Sequence, residues 1–408
     1  MDELEREENQ QILRVLQLLK QASHDLQSNP THKLTESNSS AIKALLELET
    51  ESDTILSDPN LSQLAHHLSY LKTLVETLRT TREHTTLKSF LKRRVSTHQI
   101  ARVAESIESE LQAWIDRESV ESLVKALRGS RSESRDSEKN AELITELARF
   151  QGRVAQGFNR ELQDLVLKAA VFTELETVLI DPTQLSKVRE ECAFVIEGLI
   201  RFNKNVFVGE VLMGPTIKAL ISMGSVCALN VLCSLIKTIK SPLVDEIESN
   251  KEIPSVIGYL KSDDLTIRVL GLDCVLEIGY FGRKEAVEAM IKEDIVKKLV
   301  ELQRSELGGD LIDVRECETE ENRGETEENR GETEENRGKQ GSRKSYLERH
   351  PFASCVARFA VQLEVGEGLR QREKRAYKLE VLRRVREASI SDAEASTIQA
   401  EVLWGSFS

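Results

Sequence analysis

Residues 253–279 have the sequence IPSVIGYLKSDDLTIRVLGLDCVLEIG, a short apolar phrase opened by a proline and followed by a longer apolar helix pattern. A similar phrase, PTIKALI, begins at Pro215, 39 residues before Pro254, and a third, IVKKLVEL, begins at Ile295. A period near 40 residues with two or three helices in each unit is typical of an α-solenoid, whose units bury their apolar faces against one another. The pattern therefore predicts stacked helical repeats over residues 141–309.

The composition favours helix along the whole chain. Only 4% of the residues are aromatic, and there are 20 Gly and 7 Pro among 408 residues, whereas sheets draw on aromatic and β-branched residues and need many turns. We predict an all-α fold. The formal net charge of −13 argues against a general nucleic-acid binder, because such binding depends on a basic surface that releases phosphate counterions.

The first third of the chain shows four amphipathic stripes with apolar residues at spacings of three and four. The third stripe includes Leu68, Leu71 and Leu74, and the fourth includes Ile107 and Leu111. Four long stripes joined by short polar connections are most simply closed by packing on one another. We predict a helical bundle over residues 1–128 and a polar linker over residues 129–140.

The solenoid pattern is interrupted by an acidic, low-complexity insert. Residues 318–338 are three copies of ETEENRG, and residues 316–338 carry ten Glu and three Arg. A segment without apolar side chains cannot bury enough surface to offset the entropy of ordering, so we predict disorder over residues 310–348. The helical pattern then returns, which predicts a final repeat and a C-terminal helical cap over residues 349–408.

The phrase IPSVIGYLKSDDLTIRVLGLDCVLEIG and the charged stretch GRKEAVEAMIKED resemble plant armadillo-repeat proteins. The segments SDTILSDPNL, LKSFLKRRV and SELQAWIDRE are similar to the helical N-terminal domain of plant U-box armadillo proteins. The resemblance implies an armadillo-like solenoid that binds proteins, coupled to a helical bundle. Those ligases carry a U-box with a Cys-Pro-Ile phrase between bundle and repeats, whereas this chain has no Cys before Cys192. We therefore expect no ubiquitin-ligase activity.

No motif for catalysis, a cofactor or a metal stands out. The chain contains no GxxxxGK[ST], GxGxxG or GxSxG phrase. The seven histidines are scattered, and His66 and His67 are adjacent, so their side chains diverge on a helix. We predict no enzyme, no cofactor, no metal and no small-molecule substrate. The six cysteines suggest no disulfide scaffold, and the N-terminus MDELEREENQQ shows no targeting pattern, so we expect a cytoplasmic or nuclear protein.

Two surfaces are candidates for partner binding. In an armadillo solenoid the third helix of each unit lines the concave groove, and we assign the polar stretches after the long apolar helices to that position. This assignment nominates a partner groove formed by Asn205, Asp245, Glu248, Lys284 and Glu288. The second candidate is a basic patch at LKRR, formed by Lys92, Arg93 and Arg94, which adjoins an expected junction between helices. A further basic cluster, over residues 366–386, holds eight basic and three acidic residues, and either basic cluster could meet a membrane surface, RNA or the chain's own acidic insert. For all of these surfaces the alternative is an ordinary solvated helix face.

These features predict a non-enzymatic scaffold or regulatory adaptor that binds one or more proteins through its repeats, near ubiquitin-ligase or signalling complexes. The alternative is a membrane-acting bundle that the repeats hold in check. Five acidic residues among residues 2–8 argue against membrane contact, because anionic lipid would repel them.

Overall fold

The computed structural model describes residues 20, 21, 24, 62–81, 87–130, 137–309 and 346–404, and the regular elements in these ranges are all helical. The all-α prediction is therefore confirmed. In chain order the helices are α1 Ser62–Thr81, α2 Leu87–Gly129, α3 Ser137–Val154, α4 Arg160–Lys168, α5 Val171–Ile180, α6 Ser186–Phe202, α7 Lys204–Met213, α8 Thr216–Met223, α9 Val226–Ile239, α10 Ser241–Ser249, α11 Ile253–Gly258, α12 Leu265–Phe281, α13 Lys284–Lys292, α14 Ile295–Gln303, α15 Cys355–Val365, α16 Gln371–Ala388 and α17 Asp392–Trp404.

The chain divides into two compact units, and the first contains the described residues up to Glu146 together with residues 158–174. Within it, α1 packs along α2, and α4 packs on α2 as well. The third and fourth predicted stripes lie in this interior, where Leu68, Leu71 and Leu111 are fully buried. The first two stripes of the predicted bundle lie outside the described residues.

The start of α3 differs from the predicted linker. The long helix continues to Gly129, and α3 already begins at Ser137, inside the range 129–140 that the sequence predicts as linker. Leu143, Leu147 and Phe150 form a buried apolar stripe along α3, and Glu138 lies in its first turn, where the helix dipole favours an acidic side chain. The division between the two compact units falls within α3 rather than in the polar stretch before it.

The second unit, Leu147–Gly157 and the described residues from Leu175 onward, is an armadillo-like α-solenoid. It repeats a triplet of two short helices and one longer helix: α7, α8 and α9, then α10, α11 and α12, then α13, α14 and α15. The third helices pack on one another in the order α6, α9, α12 and α15, which we call the third-helix row. The opening helices α7, α10 and α13 also contact in order and form the first-helix row.

Local sequence explains where these helices begin and end. Pro242 and Pro254 lie in the first turns of α10 and α11, where a missing backbone N–H costs nothing. The Ser225 hydroxyl caps α9 by accepting from the Ala228 N–H at 3.2 Å, and the Asp264 carboxylate caps α12. Gly224 ends α8 in the left-handed region with φ +58°, which favours glycine.

The acidic insert lies inside a triplet rather than between two repeats. Its residues 310–345 lie outside the described part of the chain, between the second helix α14 and the third helix α15 of one triplet. The sequence predicted a separate final repeat over 349–408, whereas α15 packs on α14 and on α12 and so completes the triplet that α13 begins. Residues 346–349 form a helical turn, although the sequence predicted disorder as far as residue 348. The helices α16 and α17 then pack against α15.

None of the described helices is by itself long and apolar enough to cross a membrane. The pair α7 and α8 passes that test of length and composition only when joined, and it is bent by 69°.

Candidate interaction surface

The third-helix row exposes a narrow polar stripe between buried apolar faces. On α9, Asn230, Ser234 and Lys237 follow one another at helical spacing and are exposed or half-buried. The other faces of this helix are covered by α6, α8 and α12. Its buried residues are Ala228, Leu229, Val231, Leu232, Cys233, Leu235, Ile236 and Ile239. The polar residues are thus the part of the row that solvent or a partner can reach.

Polar side chains on this stripe connect neighbouring helices of the row. The guanidinium of Arg201 on α6 donates to the Ser234 hydroxyl at 3.0 Å and to the Glu197 carboxylate at 2.5 Å. The Lys237 ammonium on α9 lies 3.5 Å from the Glu277 carboxylate on α12. Such exposed pairs contribute little stability, but they place both positive and negative charges on the row.

The stripe is partly shielded from water at its centre. Burial raises the pKa of Asp273 on α12, and the positive charges of Arg358 and Lys237 offset part of that rise. Burial also raises the pKa of the Cys227 thiol on α9, and the nearby Glu190 carboxylate adds to the effect. The row therefore holds carboxylates in a partly desolvated setting, where a cationic or hydrogen-bonding ligand would gain more than in open solvent.

The stripe ends at a basic residue in an unusual conformation. Lys240 follows α9 with φ +71°, and its ammonium lies 3.0 Å from the Glu367 carboxylate and 5.6 Å from the centre of the Phe281 ring. The Ser241 hydroxyl next to it donates to the Phe281 carbonyl at 2.7 Å. These contacts link the connection after α9 to the end of α12 and to the loop after α15.

The five residues predicted for the partner groove do not lie on the third helices. Asn205 is on α7, Asp245 and Glu248 are on α10, and Lys284 and Glu288 are on α13, so all five belong to the first-helix row. The prediction took the short charged helix after each long helix as the last of its unit, whereas that helix opens the next triplet. The long helices are the ones that stack at the centre, because they carry apolar residues on several faces.

On the first-helix row the predicted residues make local pairs. The Arg283 guanidinium lies 3.2 Å from the Asp245 carboxylate and so connects α13 with α10. Lys284 and Glu288 form an i, i+4 pair at 3.4 Å on α13, and the Tyr377 hydroxyl donates to the Lys284 carbonyl at 3.3 Å. The structure thus brings Asp245 near α13 but does not join these five residues with the polar stripe of the third-helix row.

The basic patch Lys92, Arg93 and Arg94 lies within the continuous helix α2. The expected junction between helices is at residues 82–86, just before α2 begins, and lies outside the described residues. The side chains of the patch are outside the described part as well, so its role stays a prediction.

Sequence reasoning missed the polar residues of the third-helix row, and a signal for them was present. They interrupt the otherwise apolar long stretches VREECAFVIEGLIRF, SVCALNVLCSLIKTI and LTIRVLGLDCVLEIGYF. A polar residue that recurs at one helical position within an apolar helix marks the single face that its neighbours leave uncovered. The residues in question are Glu190, Glu197, Asn230, Lys237, Asp273 and Glu277.

The described residues show no arrangement of three or more His, Cys, Asp or Glu side chains that could hold a metal ion. Five cysteines in this part of the chain have free thiols, and Cys192, Cys233, Cys274 and Cys355 are buried. Burial raises the pKa of the Cys355 thiol to about 12, so it remains protonated at neutral pH. These four thiols act as small apolar side chains in the solenoid interior.

The fold places this protein among all-helical proteins with an armadillo-like α-solenoid. The sequence matches no family model and no curated protein. A designed armadillo repeat protein is 12% identical with a TM-score of 0.39, and the match covers 69% of this chain and 99% of that one. An engineered protein is 16% identical with a TM-score of 0.41, over 70% of this chain and 96% of that one. A designed armadillo repeat protein in complex with the peptide (KR)4 is 14% identical with a TM-score of 0.39, over 70% and 99% of the two chains.

Proposed function

We propose that this protein is a non-enzymatic scaffold or regulatory adaptor that binds an extended segment of a partner protein along its third-helix row. The observation that carries the proposal is the continuous stacking of α6, α9, α12 and α15, each of which buries its apolar faces and leaves one polar stripe exposed. Stacked repeats present such stripes as one elongated surface, and an extended peptide can contact several helices in succession.

The charges of the stripe indicate what kind of segment would fit. Glu190, Glu197 and Glu277 lie on α6 and α12, and Asn230 lies exposed between them on α9. An amide side chain can donate to and accept from the backbone of an extended peptide, and carboxylates on either side favour basic or polar side chains. We therefore propose a partner segment of extended conformation with basic residues.

A binding experiment with two matched variants tests this proposal. The full-length protein serves as bait in affinity purification from cell extract, and a captured partner is then measured by titration at two salt concentrations. Glu190→Lys with Glu277→Lys reverses charge on the third-helix row, and Asp245→Lys with Glu248→Lys makes the same charge change on the first-helix row. We expect the first pair to weaken binding about ten-fold or more, as for loss of close charge pairs, and the second pair to leave it unchanged. If instead the second pair weakens binding and the first pair leaves it unchanged, the partner binds the first-helix row.

The cellular setting is part of the proposal. We propose that the protein acts in the cytoplasm or the nucleus, near ubiquitin-ligase or signalling complexes, and has no ligase activity of its own. The resemblance to plant U-box armadillo proteins supports the setting, and the lack of a Cys before Cys192 supports the absence of a U-box. Purified protein incubated with activating and conjugating enzymes should form no ubiquitin chains, and robust chain formation would refute this part.

A further inference from the structure

The exposed face of α16 carries a row of arginines. Arg372, Arg375, Arg383 and Arg386 are exposed, and Leu379 at the centre of the same face is 68% exposed. At 100° per residue these five positions fall within an arc of about 80° and extend over about 21 Å of helix. We call this face the arginine stripe.

The opposite face of α16 is the one that packs into the fold. Val381 and Val385 are fully buried, and on the flanks the Arg384 guanidinium lies 2.7 Å from the Asp294 carboxylate. On the arginine stripe, Arg383 pairs with Glu380 and Glu387, whereas Arg372, Arg375 and Arg386 make no ion pair with any residue that the structure describes. In a chain of net charge −13, three uncompensated arginines on one helix face form a surface that suits an anionic partner.

The acidic insert is anchored close to this helix. Its two ends meet, because Gly309 lies against the Tyr346 hydroxyl, and the Phe352 N–H donates to the Leu307 carbonyl at 3.3 Å. Arg304, five residues before Gly309, donates to the Ala388 carbonyl at the end of α16 at 3.2 Å. Residues 310–345 therefore leave and rejoin the fold at one point near the C-terminal end of α16.

The insert is opposite in charge to the arginine stripe, and one of its repeats is about as long as the stripe when extended. Residues 316–338 carry ten Glu and three Arg, a net charge of −7, and each ETEENRG copy contributes three Glu and one Arg. Seven residues span about 23 Å when extended, close to the length of the stripe. Individual exposed charge pairs are weak, but a tethered segment is present at an effective concentration near the millimolar range, which a separate acidic peptide would not reach.

We propose that the ETEENRG repeats, residues 318–338, bind the arginine stripe of α16 in the same molecule. The contact is electrostatic, weakens with salt, and occupies the stripe so that other anionic surfaces must compete for it. Three copies in tandem give three equivalent ways of forming the contact, which raises its occupancy without any single fixed pairing.

Zero-length crosslinking tests the proposal in the full-length protein. Arg375→Lys keeps the charge of the stripe and provides an amine that a carbodiimide couples to a nearby carboxylate. Mass spectrometry should find Lys at position 375 joined to glutamates of residues 318–338, well above the level at the exposed Lys251. Raising the salt concentration to about 0.5 M should reduce this crosslink about five-fold or more, because the Debye length then falls to a few ångströms.

Two variants in the Arg375→Lys background complete the test. Arg372→Glu with Arg386→Glu should abolish the crosslink, and Lys187→Glu with Lys261→Glu, which makes the same charge change at exposed lysines of other elements, should preserve it. A crosslink at position 375 no stronger than at Lys251 would overturn the proposal. Crosslinks between labelled and unlabelled chains in a mixed sample would also overturn it, because the stripe would then join two copies. Binding to phosphatidylserine vesicles that needs the stripe, without any crosslink, would assign the surface to lipid instead.

Discussion

The side-chain amide of Gln303 donates to the carboxylate of Glu401 at 2.9 Å, although the two residues are 98 positions apart in the chain. The side-chain oxygen Oε1 of Gln303 also accepts a hydrogen bond from the Val356 N–H at 3.3 Å. The Ser354 hydroxyl donates to the Glu401 carboxylate at 3.2 Å. Gln303 ends α14, Val356 lies in the first turn of α15, and Glu401 lies on α17. This cluster therefore joins the two sides of the interrupted triplet and ties them to the last helix.

Gln303→Ala should destabilise the protein by about 1–3 kcal/mol, because it leaves the buried Val356 N–H without its acceptor. Gln303 itself is 6% exposed, so water cannot easily replace the lost bonds. Chemical denaturation measures the difference. Gln371→Ala, at an exposed glutamine that begins α16, is the matched control and should change stability by less than about 0.5 kcal/mol. Equal effects of the two substitutions would show that the cluster does not hold the triplet together.

Glu401 should make stability depend on pH in a predictable direction. Burial raises the pKa of its carboxyl group, and the hydrogen bonds from Gln303 and Ser354 offset part of the rise. The folded state thus holds the proton more tightly than the unfolded chain, so this contribution is fully present below the unfolded pKa and is lost as pH rises through the folded pKa. Glu401→Gln cannot ionise and keeps an acceptor for Gln303. Its stability relative to wild type should therefore increase between pH 4 and pH 7, with the exposed Glu306→Gln as the control for losing one negative charge.

Close packing at Gly271 should make this position intolerant of a side chain. A Cβ there would lie 2.9 Å from the Cβ of Tyr259 and 3.4 Å from its carbonyl carbon, so backbone would have to move. The Tyr259 hydroxyl donates to the Ile221 carbonyl, which makes this residue a contact between successive triplets. Gly271→Ala should destabilise the protein by about 1–3 kcal/mol. Gly209→Ala on α7, where a Cβ meets nothing within 4 Å, should instead stabilise it by about 0.5–1 kcal/mol. Thermal denaturation of both variants checks the pair, and a stable Gly271→Ala protein would contradict the packing.

The period of the solenoid could be read from the sequence because its markers are local. Pro215 and Pro254 recur 39 residues apart because Pro215 directly precedes α8 and Pro254 lies in the first turn of α11, the second helices of two successive triplets. A proline at a helix start has a local cause. The frame of the triplet could not be read in the same way. Whether a short charged helix such as α13 opens one unit or closes the previous one depends on which helices stack, and stacking is a tertiary property.

The sequence placed the candidate groove residues on the first-helix row for that reason and for one more. Charged residues on short helices, such as Glu288, stand out in the sequence, whereas Asn230 and Asp273 are hidden in apolar runs and resemble interruptions of a core. Asn230 is exposed and Asp273 half-buried because α9 and α12 pack side by side and leave one stripe uncovered. The position of the insert inside a triplet was hidden likewise, because α15 is separated from α14 by residues 310–345 and only the fold joins them.

Replacing residues 310–345 with about six Gly and Ser residues should leave the melting temperature within a few degrees of the wild-type value, or raise it slightly. The two ends of the segment already meet at Gly309 and Tyr346, so a short connection can close the gap without moving α14 or α15. Shortening the loop from 36 residues by between two and three halvings lowers the entropy of closure by about 1.5 kcal/mol.

A substitution at Gly309, the last described residue before the insert, should lower the melting temperature and is therefore the control for this replacement. Gly309 has φ +68°, and a Cβ there would collide with the Tyr346 hydroxyl and lie 3.1 Å from the His350 ring, so Gly309→Ala should lower the melting temperature by several degrees. Calorimetry of the wild type, the shortened chain and Gly309→Ala separates the segment from its anchor. If the shortened chain loses as much stability as Gly309→Ala, then residues 310–345 contribute to the folded core of the last triplet, and the description of this segment as an insert would be wrong.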